Sequence, residues 1–191
     1  MTAIIYYTAA TLNGFLADSN HSLEWLFAVD ETDGPDLAAF MDTVGVFVEG
    51  ASTYEWVLAA ENLIAEPQKW QQYYGRKPTY VFTSRTLPVP EGADVRFVNG
   101  PVAHVLAEIK DAAREKNVWV VGGGDVAGQF LDCDALDEIT LTVAPAALVA
   151  GMPLLPRTLG AERLKLRSVS QQGEFAVLNY EVRPGVNGAQ P

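Results

Sequence analysis

The sequence predicts a three-layer α/β domain, with a mostly parallel central sheet between helices and an antiparallel C-terminal hairpin. Three observations carry this prediction. Short apolar runs of strand length alternate with segments of helical spacing for most of the 191 residues. The clearest helical pattern, residues 100–116, lies between two such runs. Near the C-terminus two alternating segments flank "QQG", the signature of a hairpin. The length suits one domain with a full core, so residues 1–183 are assigned to a single domain and 184–191 to a flexible tail.

Each element follows from its residues. "AIIYYTAA", residues 3–10, reads as a buried strand, and "TLNGFLADSNHS" after it as a loop. "SLEWLFAV" suits a short helix with Ser22 as N-cap. "GPDLAAFMDTV" reads as a helix, because Leu37, Phe40, Met41 and Val44 fall at helical spacing. "VGVFVEG" is a strand ending at Gly50, and "STYEWVLAAEN" is helical after Ser52. Residues 61–77 lack a clear period and read mostly as loop. "PTYVFTS" and "DVRFVN" are strands. Pro101 opens the helix of residues 100–116, whose apolar face is Val102, Val105, Leu106 and Ile109. "NVWVVGG" is a buried strand, "DVAGQFLDC" a short helix and "LDEITLTVAP" a strand. In "ERLKLRSVS", Arg163, Lys165 and Arg167 alternate with Leu164 and Leu166, a half-exposed strand paired with "EFAVLNYEV".

Composition bounds the function. With 49% hydrophobic and 19% charged residues the chain reads as an ordinary globular protein. A net charge of −11 argues against nucleic-acid binding, which needs a concentrated basic face. The single cysteine, Cys133, excludes a disulfide framework or a cysteine-based zinc site within one chain. Its acidic neighbours, Asp132 and Asp134, argue for an inert thiol. The N-terminus has no basic region before its apolar run and reads as a strand rather than a signal peptide. No apolar run reaches membrane-spanning length. A cytoplasmic protein without membrane or nucleic-acid partners is expected. His21 and His104 form no metal pair, the acids lack ligand spacing, and no metal site is assigned.

The most informative stretch is "VWVVGGGDVAGQF", where three glycines join a strand to a helix. Glycines there permit torsions closed to other residues and let another group come close. The helix beyond offers unpaired N–H groups and the positive end of its dipole, a seat for an anion such as phosphate. A tight turn that merely packs helix on sheet stays open as the other reading. Gly122-x-Gly124-x-x-Ala127 fits a Rossmann fingerprint loosely, but the next strand ends in "TVAP" without the required acid. No Lys-Ser or Lys-Thr follows the glycines, so a Walker A loop is absent.

"VVGGGDVAGQFLDCDALDEITLTVAP" resembles the C-terminal segment of the dihydrofolate reductase-like fold, in its bacterial riboflavin-biosynthesis reductase branch, the RibD C-terminal domain. "TLNGFLAD", "VFVEGASTYEWV", "YVFTSRTL" and "ALVAGMPLLP" resemble four further family segments, in the family's order, across residues 4–156. The resemblance implies NADPH as hydride donor. It implies that Gly122, Gly123 and Gly124 receive the pyrophosphate, with Asp125 and Val126 opening the helix. Gly50, Ser52 and Thr53 would supply a second set of phosphate donors. Thr83, Ser84 and Arg85 would approach the adenosine 2′-phosphate, Arg85 through its forked guanidinium. Asn13, Gly14, Trp25 and Tyr54 would lie at the substrate end; Tyr54 and Trp56 could wall a nicotinamide or substrate pocket, with core packing as the other reading. Asp30, five residues after Trp25, matches the spacing of the pterin-anchoring acid of dihydrofolate reductases and is the candidate catalytic residue.

Three positions depart from the family pattern: Ala51 replaces an arginine, Asn13 replaces an aspartate, and Asp125 places a carboxylate beside the pyrophosphate seat. No H-x-E with P-C-x-x-C occurs, so the deaminase partner domain of the bifunctional enzyme is not expected. The reading is a stand-alone NADPH-dependent reductase acting on a small pterin- or pyrimidine-like heterocycle. The alternatives are dihydrofolate reductase proper, or a dinucleotide- or small-molecule-binding protein without turnover. Relatives in the family often form homodimers, a possibility for this chain too.

Overall fold

Strands buried on both faces send side chains alternately to two sides, so helices must cover both. The computed structural model, which describes residues 2–30 and 32–185, has this form. Its elements are β1 (Ile4–Thr11), β2 (Phe15–Asp18), α1 (Glu24–Phe27), α2 (Ala38–Thr43), β3 (Val44–Gly50), α3 (Ala51–Ala60), α4 (Gln68–Tyr73), β4 (Thr79–Phe82), β5 (Val95–Val98), α5 (Leu106–Ala113), β6 (Asn117–Gly122), α6 (Gly124–Asp132), β7 (Glu138–Ala144), β8 (Gly151–Pro153), β9 (Leu164–Gln172) and β10 (Phe175–Val182). Eight strands form one sheet in the order β5-β4-β3-β6-β1-β7-β10-β9. The first six in that order pair in parallel, and β10 and β9 are antiparallel. The predicted three-layer class and its C-terminal hairpin are therefore observed.

Strand alternation builds the two cores. Val46 and Val48 of β3 and Val118 and Val120 of β6 pack in one cluster with Ile109 of α5 and Phe130 of α6. On the other face, Phe47 and Val81 pack with Tyr54 and Leu58 of α3 and with Trp70 of α4. Trp70 is fully buried and stacks on Tyr74 at 4.1 Å and 11°.

Several expected elements differ. Residues 61–77 contain α4, which was not expected. Only Trp70 of its six residues is buried, so no helical period shows in the sequence. The helix expected over 100–116 is interrupted at Val105 (φ −122°, ψ 4°). Only a single 3-10 turn, Val102–His104, precedes it, and the Val102 N–H is drawn to the Gln129 side chain of α6. The helix after Ser22 shrinks to four residues, capped at Leu23, with the Ser22 hydroxyl accepting the Glu24 N–H. The loop expected over 11–22 contains β2, which pairs with β8 in a separate two-stranded ribbon. β9 packs mainly through Leu164; Leu166 and Val169 are exposed along this edge strand. Of the expected tail, residues 186–191 lie outside the described residues, and the Gly185 N–H donates to the Asp134 carboxylate.

Glu49 breaks the apolar pattern of β3. It is completely buried, and neither carboxylate oxygen has a hydrogen-bond partner. Burial pushes its carboxyl up to about 7; the Tyr74 hydroxyl pulls weakly the other way without reaching hydrogen-bond geometry. Burial first, then the Glu49 charge, raise the Tyr54 and Tyr74 phenols.

Between its ordinary value and about 7, the folded chain holds the Glu49 proton more tightly than the unfolded chain does. Stability is therefore greatest below the ordinary value and falls as pH rises to about 7, by an amount on the order of 3 kcal/mol. Urea unfolding at pH 5 and pH 8 checks this. Wild type should lose stability over that interval relative to Glu49→Gln; a flat difference between the two would refute it.

Candidate functional site

The three glycines of the β6–α6 turn have separate tasks. A Cβ on Gly124 would lie 2.5 Å from the carbonyl oxygens of Pro153 and Leu154, so this glycine admits the chain just after β8 against the helix start. A Cβ on Gly122 would lie 3.1 Å from Thr53 Oγ1. A Cβ on Gly123 would meet nothing within 4 Å. The middle glycine therefore borders open space, and its φ of −84° is one that other residues adopt readily.

That space belongs to a cavity of about 460 Å³ at the carboxyl ends of β1, β3 and β6. Its size lies within the ~300–1,000 Å³ typical of small-molecule sites. Two helices begin here. Gly50 is the N-cap of α3 and Gly123 the N-cap of α6, and no side chain caps either end. The ends are close, since a Cβ on Gly50 would lie 3.5 Å from the Gly123 nitrogen. Two sets of free N–H groups and two positive dipole ends thus converge on one cavity, the physical requirement for holding an anion without a lysine. Of the residues expected around the cofactor, Gly50, Ser52, Thr53, Gly122, Gly123, Gly124, Asp125 and Val126 all line it.

Asp125 sits in the first turn of α6 with its side chain engaged. One oxygen accepts from Gln129 at 3.1 Å, the other from Arg157 at 3.0 Å. The Gln129 amide, and then Arg157, hold its carboxyl below the usual carboxylate range.

The other predicted residues are dispersed. Thr83, Ser84 and Arg85 follow β4 outside the cavity lining, and the Arg85 guanidinium grips both oxygens of Glu55 at 2.9 and 2.6 Å. Asn13 is structural: its amide donates to the Leu148 carbonyl, and its oxygen accepts from the Leu148 N–H and the Thr11 hydroxyl. Gly14 (φ +84°) turns the chain into β2, and its carbonyl accepts the Leu154 N–H. Tyr54 is core, with its hydroxyl donating to the Pro88 carbonyl at 2.7 Å. Trp56, two residues on and about 200° around the helix, lines the cavity instead and stacks on Phe27 of α1. Trp25 is half-buried outside the lining, while Leu23 and Leu26 face in. Asp30 is exposed, outside the lining, and its carboxylate accepts the Thr32 N–H.

Sequence reasoning missed the wall contributed by the β2–β8 ribbon. Leu16, Ala17, Met152 and Pro153 line the cavity from it. His21 also lines it, in a left-handed conformation (φ 61°) inside a turn whose N–H groups the Asp18 carboxylate collects. The "DSNHS" run of turn-forming residues was the available signal.

Comparison with known proteins gives the family and the fold. A family model described as the RibD C-terminal domain matches residues 2–178. The chain is 28% identical over 176 residues to the uncharacterized protein YwjB of Bacillus subtilis (strain 168), covering 92% of this chain and 95% of that one. It is similar in structure to a protein of Shewanella sp. PV-4 provisionally assigned to riboflavin biosynthesis, with a TM-score of 0.75, 25% identity, and coverage of 95% and 99%. It shares its fold with a diaminohydroxyphosphoribosylaminopyrimidine deaminase/5-amino-6-(5-phosphoribosylamino)uracil reductase of Thermotoga maritima, with a TM-score of 0.63, 16% identity, and coverage of 95% of this chain and 56% of that one. Among the described residues no helix is long and apolar enough to cross a membrane.

The separate tasks of the glycines give opposite expectations for stability. Gly124→Ala drives a methyl into two backbone carbonyls and should cost ~1–3 kcal/mol. Gly123→Ala meets no protein atom and should change stability by less than ~1 kcal/mol. Thermal melts of the two variants check both; equal melting temperatures would contradict this assignment.

Proposed function

The chain belongs to the RibD C-terminal domain family, and from that premise we propose that it is an NADPH-dependent reductase acting on a small, unphosphorylated heterocycle of pyrimidine or pterin type. The observation that carries this reading is the pair of uncapped helix N-termini meeting beside the open face of Gly123. The N–H groups after Gly50 and Gly123 would hold the pyrophosphate, with the Ser52 and Thr53 hydroxyls beside them. NADPH, when bound, supplies the hydride.

The rest of the cavity determines what accepts it. Leu26, Trp56, Val57 and Met152 make an apolar slot suited to a flat ring and to keeping water out. Among the described residues no lysine or arginine lines the cavity, so a substrate phosphate would find no side-chain cation among them. His21 offers the slot an imidazole that can hydrogen-bond a ring edge. Dihydrofolate reduction proper is less favoured, because Asp30 stands outside the cavity.

Arg85 is the candidate contact for the 2′-phosphate, in competition with Glu55. NADPH is therefore expected to bind more tightly than NADH by about ten-fold, a preference that Arg85→Ala erases and Glu55→Gln widens. Fluorescence titration with both nucleotides measures this. Gly123→Ala should remain folded and lose at least ~ten-fold in NADPH affinity, because its methyl fills the space beside the N–H groups. Failure of wild type to bind either nucleotide at millimolar concentration would sink the proposal.

A further inference from the structure

We propose that Arg157 is an electrostatic shield for the dinucleotide seat: it neutralises Asp125 so that a carboxylate in the first turn of α6 does not repel the ligand's phosphates. The inference rests on the reading of the cavity as a pyrophosphate site. Asp125 lines that cavity, one residue after Gly124. A carboxylate there suits the positive end of α6 but competes with any anion drawn to the same N–H groups. Left unpaired, it would oppose binding.

The surroundings of Arg157 are built to prevent this. The segment after β8 brings the half-buried arginine across the outer face of α6. Its Nη2 donates to Asp125 at 3.0 Å, its Nε to Asp132 at 2.9 Å, and its Nη1 to the Pro156 carbonyl at 2.9 Å. The guanidinium thus spans the helix from first turn to last, held at both ends. Gly128 lies beneath it. A Cβ there would come within 2.9–3.0 Å of Arg157 Cγ, Cζ and Nε, so the glycine is what lets the side chain lie flat. Gln129 holds the second Asp125 oxygen from the same helix at 3.1 Å. With one oxygen held by a cation that it shares with Asp132 and the other by the Gln129 amide, Asp125 is engaged along its own helix and leaves the backbone N–H groups and the dipole to act on the ligand.

The test is direct binding of NADPH, and of inorganic pyrophosphate, at low salt to the intact chain. Arg157→Met keeps bulk over Gly128 and removes the charge; it should weaken NADPH binding about ten-fold, the scale of one unpaired charge several ångströms from a phosphate. Asp125→Asn should bind at least as well as wild type. The double variant should recover to within about two-fold of Asp125→Asn, and the loss in Arg157→Met should shrink as salt is raised. Gly128→Ala changes no charge but displaces the guanidinium. It should give a smaller loss in the same direction, and it carries the test if Arg157→Met does not fold. Wild-type affinity in both Arg157→Met and Gly128→Ala would overturn the shield. So would a double variant as weak as Arg157→Met, which would assign the loss to packing. Wild type that binds neither probe would instead overturn the dinucleotide reading, and the shield with it.

Discussion

The parallel pairing of β3 with β6 is the constraint on which the site depends. Val46 to Val48 lie beside Val118 to Val120, and the pairing runs to Glu49 and Gly122, at the carboxyl ends of the two strands. Each strand is followed at once by a helix, so the pairing brings two helix N-termini side by side. Neither carries the serine, threonine or aspartate cap that would satisfy its N–H groups internally. The convergence of two uncapped helix starts on the cavity is therefore a property of backbone placement and does not depend on the side chain at Ala51.

The second wall comes from chain distant in sequence. β2 and β8 pair away from the main sheet, and Gly151 admits the Ala17 carbonyl where a side chain would collide. The segment continuing from β8 packs its carbonyls on Gly124, accepts the Tyr6 hydroxyl at the Leu154 carbonyl, and delivers Arg157 onto α6. One stretch thus closes the apolar slot, packs on the start of α6 and pairs an arginine with Asp125. The Asn13 amide ties the loop before β8 to the loop before β2, holding the two halves of this wall together.

Much of the fold was legible because the strands announce themselves. Buried runs such as "IIYY" and "VWVV" have the length and β-branched content of interior strands, and the glycine turn marks its helix start. The glycine end of the cavity was legible for the same reason: its lining is two strand–turn–helix junctions, read directly from chain order. The apolar end was not. Trp56 rather than Tyr54 faces the slot because α3 presents one side to the core and the other to the cavity, and both sides carry aromatics. Trp25 and Asp30 have the spacing seen in dihydrofolate reductases, but α1 is a single turn, and its Leu26 and N-cap Leu23 line the cavity instead. Helix α4 was hidden because Trp70 and Tyr74 do its packing among polar neighbours.

The sequence by itself determined the layer architecture, the hairpin and the glycine turn between strand and helix, since each follows from local periodicity or from residues adjacent in the chain. Only the tertiary structure decided the fate of the charges. Whether Asp125 stands alone or is paired depends on Arg157, 32 residues away. Whether Arg85 is free depends on Glu55, 30 residues away. Whether Glu49 carries its charge depends on the helices that bury it. Electrostatic effects are set by distance and burial in space, and side-chain identity along the chain records neither.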